Sequence, residues 1–383
     1  MKNKNTIYFD YNATTPVDRE IALIMADVMG SHFGNASSVH HVGQSARFLI
    51  DDCRDRIAKV WSCKPSEVIF TSGGTESNNL AVFGSARHMK PRGRHLITST
   101  IEHHAVLHAF DYLEKYEGFE VTRIPVNAKG YVDPQAIAEA LREETTLVSI
   151  MAANNEIGTI QPVAAIGKIC REAGVLFHTD AVQWFGKEPV PSIDIFNADL
   201  VSICGHKFHG PKGSGALFIR SPLLPHPILF GGAHENERRA GTENTPGIVG
   251  LTEAIERFTI GPVFDRVEWL DWRLELRQCL RSIPEVTVRS PESACLKNTF
   301  AFTVQGTDGM ILMANLDLEG ICASSGSACS AGSIEPSHVI KALGASDEES
   351  SSLVRLSFGR ENSASELDNL VRCLPDVLNK SIN

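Results

Sequence analysis

The chain has 383 residues, long enough for two domains or for one large domain with an appendage. A hydrophobic content of 43% and a charged content of 21% are those of a soluble globular protein. A formal net charge of −10 without any Lys/Arg run argues against nucleic acid as the main partner, and no apolar stretch reaches membrane-spanning length.

Met1-Lys2-Asn3-Lys4-Asn5 runs into strand-like Ile7-Tyr8-Phe9 without the apolar region of a signal peptide, which predicts a cytoplasmic protein. Short apolar runs then alternate with helical patterns. Val68–Thr71, His95–Thr98, Glu120–Ile124, Leu147–Ile150, Val175–His178, Leu200–Ile203 and Ala216–Ile219 read as strands. Helix-length segments such as Glu76–Met89 and Ala164–Ala173 separate most of them. This alternation predicts an α/β domain with a mostly parallel sheet. The Pro-rich stretch Ser221–Pro227 interrupts the pattern. Helical runs over Thr245–Phe258 and Val263–Arg281 follow, then strand-like Val286–Val288 and Thr299–Phe302, consistent with a smaller C-terminal domain. The nine cysteines are scattered singly, with no CxxC pair, which suggests reduced thiols and no zinc site.

Ligands of parallel sheets sit beyond the carboxyl ends of strands, and the polar residues gather there. After Val68–Phe70 comes Thr71-Ser72-Gly73-Gly74-Thr75-Glu76-Ser77-Asn78, a glycine turn opening a helix, which suits a phosphate. The Walker pattern is absent. Glu102-His103-His104 follows the next strand, and its histidines read as metal ligands, catalytic bases or surface residues; no acid/His spacing elsewhere completes a metal centre. Asp180 and Gln183 follow Val175–His178, and Gly205-His206-Lys207 follows Leu200–Ile203. A lysine between an apolar strand and a glycine-rich turn is partly desolvated, which makes its amine nucleophilic as Schiff-base chemistry requires. A carboxylate, a lysine, a histidine and a phosphate cup are the parts that hold pyridoxal phosphate. Near the C-terminus, Ser324–Ser333 sets Cys329 among small residues only. Alone it reads as a Ser/Gly linker with an incidental cysteine; beside Lys207, Asp180 and His103 it reads as an arm that carries a thiol to a substrate.

In order along the chain, Tyr8–Pro16, Gly34–His40, Thr71–Asn78, Asn154–Gly158, His178–Gln183, His206–Gly213, Arg239–Asn244 and Ser324–Cys329 resemble the pyridoxal-phosphate-dependent cysteine desulfurases of the NifS/IscS type. The resemblance covers nearly the whole chain and implies a fold-type-I transferase. A large domain over 15–260 would hold a mostly parallel seven-stranded sheet, and a smaller α+β domain from 1–14 and 261–383 would carry the cysteine loop. It implies that Lys207 holds the cofactor as a Schiff base and then moves protons, that Asp180 faces the pyridine nitrogen, and that Gln183 bonds the phenolic oxygen. His103 would stack on the ring and shuttle protons. The phosphate would be held by Gly74, Thr75, Cys204 and His206, and by Thr242 from a partner subunit, so the resemblance implies a homodimer. Asn155 and Arg355 would bind the carboxylate of L-cysteine. Cys329 would take the sulfur as a persulfide and pass it to an acceptor or iron–sulfur scaffold protein.

Three departures stand out. Cys204 occupies a position that is usually serine in the family, and a thiol donates more weakly than a hydroxyl. Ala36 replaces a usual proline, and Asn236 a usual arginine, which removes a positive charge near the expected site. The chain also ends soon after Leu370–Asn379, short of the scaffold-docking extension of IscS-type members, which leans towards the NifS side. The rival readings are a selenocysteine lyase or related lyase or aminotransferase, and a non-catalytic sulfur-relay protein. An aminotransferase has no use for Cys329, and a decayed site would not keep Lys207, Asp180, His103 and Cys329 together.

Overall fold

The computed structural model describes residues 6–382 apart from 327–334. Its strands in chain order are β1 (Ile7–Tyr8), β2 (Val68–Thr71), β3 (His95–Ser99), β4 (Glu120–Ile124), β5 (Thr145–Ser149), β6 (Leu176–Asp180), β7 (Leu200–Cys204), β8 (Gly215–Ile219), β9 (Val286–Val288), β10 (Thr299–Val304), β11 (Ile321–Cys322) and β12 (Val354–Ser357). The seven predicted strands β2–β8 form one seven-stranded sheet in the order β2-β8-β7-β6-β5-β3-β4. β4, β3, β5, β6 and β7 run parallel, and β8 is antiparallel to both its neighbours. The fold is thus α/β with a mostly parallel seven-stranded sheet.

Helices on both faces explain why β2, β3, β5, β7 and β8 are buried from end to end, whereas edge strand β4 is partly exposed. One polar residue crosses the sheet interior at low cost because it is satisfied on both sides. His178 on β6 meets Ser149 Oγ at 2.8 Å and Ser202 Oγ at 2.9 Å, and burial holds its pKa down at about 3. Asp180 lies two residues on, so it shares the face of His178.

The rest of the chain builds two smaller sheets, β12-β10-β9, antiparallel, and β1-β11, parallel. β10 is buried throughout. The N-terminal segment therefore packs against residues more than 300 positions later, with Asp10 bridged to Ser357. One expectation is corrected: the helix predicted from Val263 begins at Glu268. Pro262 precedes it, and the Phe264 N–H is spent on Gly186 O at 2.9 Å, so residues 263–267 cover the turn at Gly186 instead of coiling.

Candidate active site

The carboxyl ends of β6 and β7, the turn after β2 and the N-terminal segment enclose a cavity of about 200 Å³. It is lined by Gly74, Thr75, His103, Asn155, Asp180, Gln183, Cys204, His206, Lys207 and Arg355. Ten of the predicted site residues therefore meet in one place. Thr242 does not line this cavity; it is exposed in the 239–244 loop, which Arg239 ties to Glu76 at 2.8 Å. Cys329 lies outside the described residues.

Gly73 takes a φ of +151°, open only to glycine, and a Cβ on Gly74 would lie 2.8 Å from Val182 Cγ2. The 16-residue helix Gly74–Met89 starts there with no side chain capping it. Its first N–H groups, which no turn of helix can satisfy, face the cavity end that Thr75, Cys204 and His206 line. Cys204 is buried at this end, and burial pushes its thiol pKa up. This uncapped glycine cradle fits a phosphate, and the one carboxylate of its first helical turn, Glu76, is engaged by Arg239 and the Ser72 N–H.

Asp180 closes the opposite end. Its Oδ2 accepts from Asn78 Nδ2 at 2.6 Å and its Oδ1 from Val182 N–H at 3.0 Å. Burial raises its pKa, and these donors and Lys207 pull the other way. Between the ends, Lys207 Nζ donates to the carbonyl oxygens of Asn12 and Ala13, each at 2.8 Å. His103 caps the helix His104–Glu117, accepting the Ala105 N–H on Nδ1 at 3.1 Å. Burial first, then Lys207, holds its pKa down at about 4, so at neutral pH it is an uncharged ring with the proton on Nε2. His206 is likewise held at about 4 by burial and Lys207, with Nδ1 3.1 Å from Thr14 Oγ1. The anion-binding cradle, the carboxylate and the lysine fit pyridoxal phosphate in composition and order.

The remaining wall carries Arg355 on β12. One of its terminal nitrogens pairs with Asp10 Oδ1 at 2.7 Å, the other donates to Asn155 O at 3.1 Å, and the buried Nε has no partner among the described residues. Backbone hydrogen bonds in both directions join Arg355 to Ser324, at 3.1 and 2.7 Å. Ser337 Oγ donates to the buried Glu156 carboxyl. Both flanks of the 327–334 stretch are thus anchored beside this wall.

Sequence reasoning missed four contributors. Asp10 holds Arg355, and Asn78 holds Asp180. Asn12 is a hub whose backbone oxygen accepts from Lys207 and from Gln183 Nε2, the latter at 3.1 Å. Lys187 is buried behind Gln183. Asn12 and Asp10 lie inside the Tyr8–Pro16 motif, which was the available signal. Among the described residues, no three metal-ligating side chains cluster, and no helix is long and apolar enough to cross a membrane.

Residues 7–370 match the aminotransferase class-V family. The chain is 44% identical over 379 residues to the cysteine desulfurase IscS of Dictyoglomus turgidum, covering 98% of this chain and 95% of that one. Among solved structures, it superposes on a NifS-like protein with a TM-score of 0.87 and 34% identity, over 98% of this chain and 100% of the other. SspA, solved in complex with cysteine, gives a TM-score of 0.81 and 36% identity, over 94% and 100% of the two chains.

Proposed function

The chain belongs to the aminotransferase class-V family and, within it, to the cysteine desulfurases, and from this premise we propose how its own residues divide the work. The protein is a cysteine desulfurase, releasing the sulfur of L-cysteine and leaving L-alanine, with pyridoxal phosphate as cofactor. The observation that carries the assignment of roles is the convergence of Lys207, Asp180, His103 and the Gly74 cradle on one cavity.

Gly74, Thr75, Cys204 and His206 would hold the phosphate, Asp180 would face the ring nitrogen, Gln183 the phenolic oxygen, and Lys207 Nζ would bind the aldehyde carbon. Bound there, the cofactor supplies an electron sink for the substrate's carbon skeleton. Arg355 and Asn155 grip the substrate carboxylate, the guanidinium offering a fork of donors. Lys207 Nζ would be the amine of this cavity that moves a proton at the substrate Cα. His103, uncharged, presents Nε2–H to the same space. The Cys329 thiolate attacks the substrate sulfur: an S–S bond forms, the C–S bond breaks, and its electron pair stays on Cβ. A proton then restores that carbon as the methyl group of alanine, leaving a persulfide on Cys329. The acceptor of that sulfur is a protein of iron–sulfur cluster assembly or thiolation. The enzyme works as a cytoplasmic homodimer, in which the exposed Thr242 completes the partner's phosphate cradle.

Incubation with L-cysteine tests these roles. Wild-type protein is expected to give alanine and, with a thiol reductant, an equal amount of sulfide. Cys329→Ala is expected to keep the cofactor bound and lose sulfide release by about a thousandfold or more. Undiminished sulfide from that variant overturns the nucleophile assignment.

A further inference from the structure

Lys187 is the only buried lysine among the described residues, 2% exposed. The chain reaches it through Gly186, whose φ of +76° admits no ordinary side chain and whose Cβ would meet Phe208 at 2.4 Å. Phe264, bonded to Gly186 O, walls off the amine from the other side. No carboxylate pairs with it. Lys187 Nζ instead donates to Asn12 Oδ1 at 2.6 Å and to Gln183 Oε1. Burial, Lys207 and Arg355 all push its pKa well below the usual lysine range. Both of its acceptors are side-chain amide oxygens.

The consequence falls on Gln183. An amide has one accepting and one donating end, and which faces where is set by its neighbours. Asn12 O can only accept, so Nε2 turns towards it, at 3.1 Å, on a side chain that lines the cavity. Lys187 fills the opposite requirement by donating to Oε1. With Lys187 absent, Oε1 would be buried without a donor, and the amide would keep only its bond to Asn12 O to hold it in place. Asn12 is held by the same amine, and its backbone oxygen is shared by Gln183 and Lys207.

We propose that Lys187 is a positioning residue of the cofactor pocket, holding Gln183 so that this wall offers an N–H donor to the phenolic oxygen of pyridoxal phosphate. The inference rests on the reading of Lys207 as the cofactor lysine.

Its test is a double-mutant cycle on the dissociation constant of pyridoxal phosphate, with the visible absorption band of the bound cofactor as a second readout. Lys187→Met and Gln183→Ala are each expected to weaken cofactor binding about tenfold, the value of one hydrogen bond to a charged oxygen. The double variant should lose no more than either alone. Lys187→Gln, which restores a neutral donor, should stay within about threefold of wild type. Gln183→Glu keeps Lys187, removes the donor, and is expected to lose the same factor even if Lys187→Met folds poorly. Losses that multiply, or wild-type affinity in Lys187→Met or Gln183→Glu, overturn the proposal. A wild-type protein that forms no borohydride-reducible bond between the cofactor and Lys207 overturns this inference and the proposed roles together, whereas normal loading of wild type with multiplying losses removes the inference alone.

Discussion

On the sheet side of the cavity, burial sets the chemistry: it holds His103 and His206 at about 4 and raises the carboxyl of Asp180. On the facing side, Arg355 is met by Asp10 at 2.7 Å, and the wall is made by ion pairing between segments 345 residues apart. The first side is built by a local rule, in which each residue follows the end of a parallel strand or opens a helix. The second depends on β1 finding β11 and β10 finding β12. One side presents groups whose ionisation is fixed before anything binds. The other presents a guanidinium whose Nε is buried and has no partner among the described residues.

The largest expected break between the two sides comes from Arg355→Lys. A lysine keeps the charge and loses the fork. The KM for L-cysteine should rise about 10- to 100-fold, with kcat changing much less and cofactor affinity unchanged. Steady-state kinetics and a cofactor titration check this, and an unaltered KM removes Arg355 from substrate binding. Next is Cys204→Ser on the sheet side. A hydroxyl donates better than a thiol, so cofactor binding should tighten about three- to tenfold. Equal dissociation constants for the two proteins would show that this position does not reach the phosphate.

The smallest effect concerns Glu102, which precedes His103. It is fully buried, with Oε1 accepting from Ser99 Oγ at 2.6 Å and Met151 N–H at 3.0 Å, and burial pushes its pKa up to about 8. Between its ordinary 4.5 and about 8 the folded chain holds a proton that the unfolded chain has released, so this contribution to stability is lost as pH rises through that window. The depressed histidines act with the opposite sign. His103 and His206 stay neutral when folded but charge when unfolded, so their contribution is lost as pH falls from 6.5 towards about 4. Glu102→Gln removes only the first effect. Its melting temperature should gain on wild type by about 1–3 °C between pH 5 and pH 8 and leave the acid side unchanged. A difference that does not vary with pH would mean Glu102 is ionised in the folded protein.

The contrast between the walls also explains what the sequence made legible. Asp180, Lys207, His206 and the Gly73–Gly74 turn announce themselves because strand–turn–helix grammar is written within a few residues. The strands of the large sheet were read to within two residues of their observed ends for the same reason. Lys187 gave no such sign. A lysine after a glycine reads as a solvated loop charge, and its burial comes from Phe208 and Phe264, outside its own turn. Asp10 and Asn12 stood inside a recognised motif, but their partners Arg355, Thr299 and Asn298 lie hundreds of residues away, where no spacing rule reaches. The early start expected for the Glu268 helix failed because residues 263–267 are committed to the Gly186 turn.

Asn12 is bonded to Thr299 and Ser357, 287 and 345 residues further on. A chain made from its N-terminus at about 5–20 residues per second leaves Asn12 waiting roughly 20–70 seconds for these partners. The cradle around Gly74 and the Lys207 turn have all their local sequence much sooner. A nascent chain therefore passes through a stage in which the sequence of the cradle exists and that of the Arg355 wall does not. Were the large sheet to fold then, capture of the cofactor during synthesis would stabilise it before the last strands arrive.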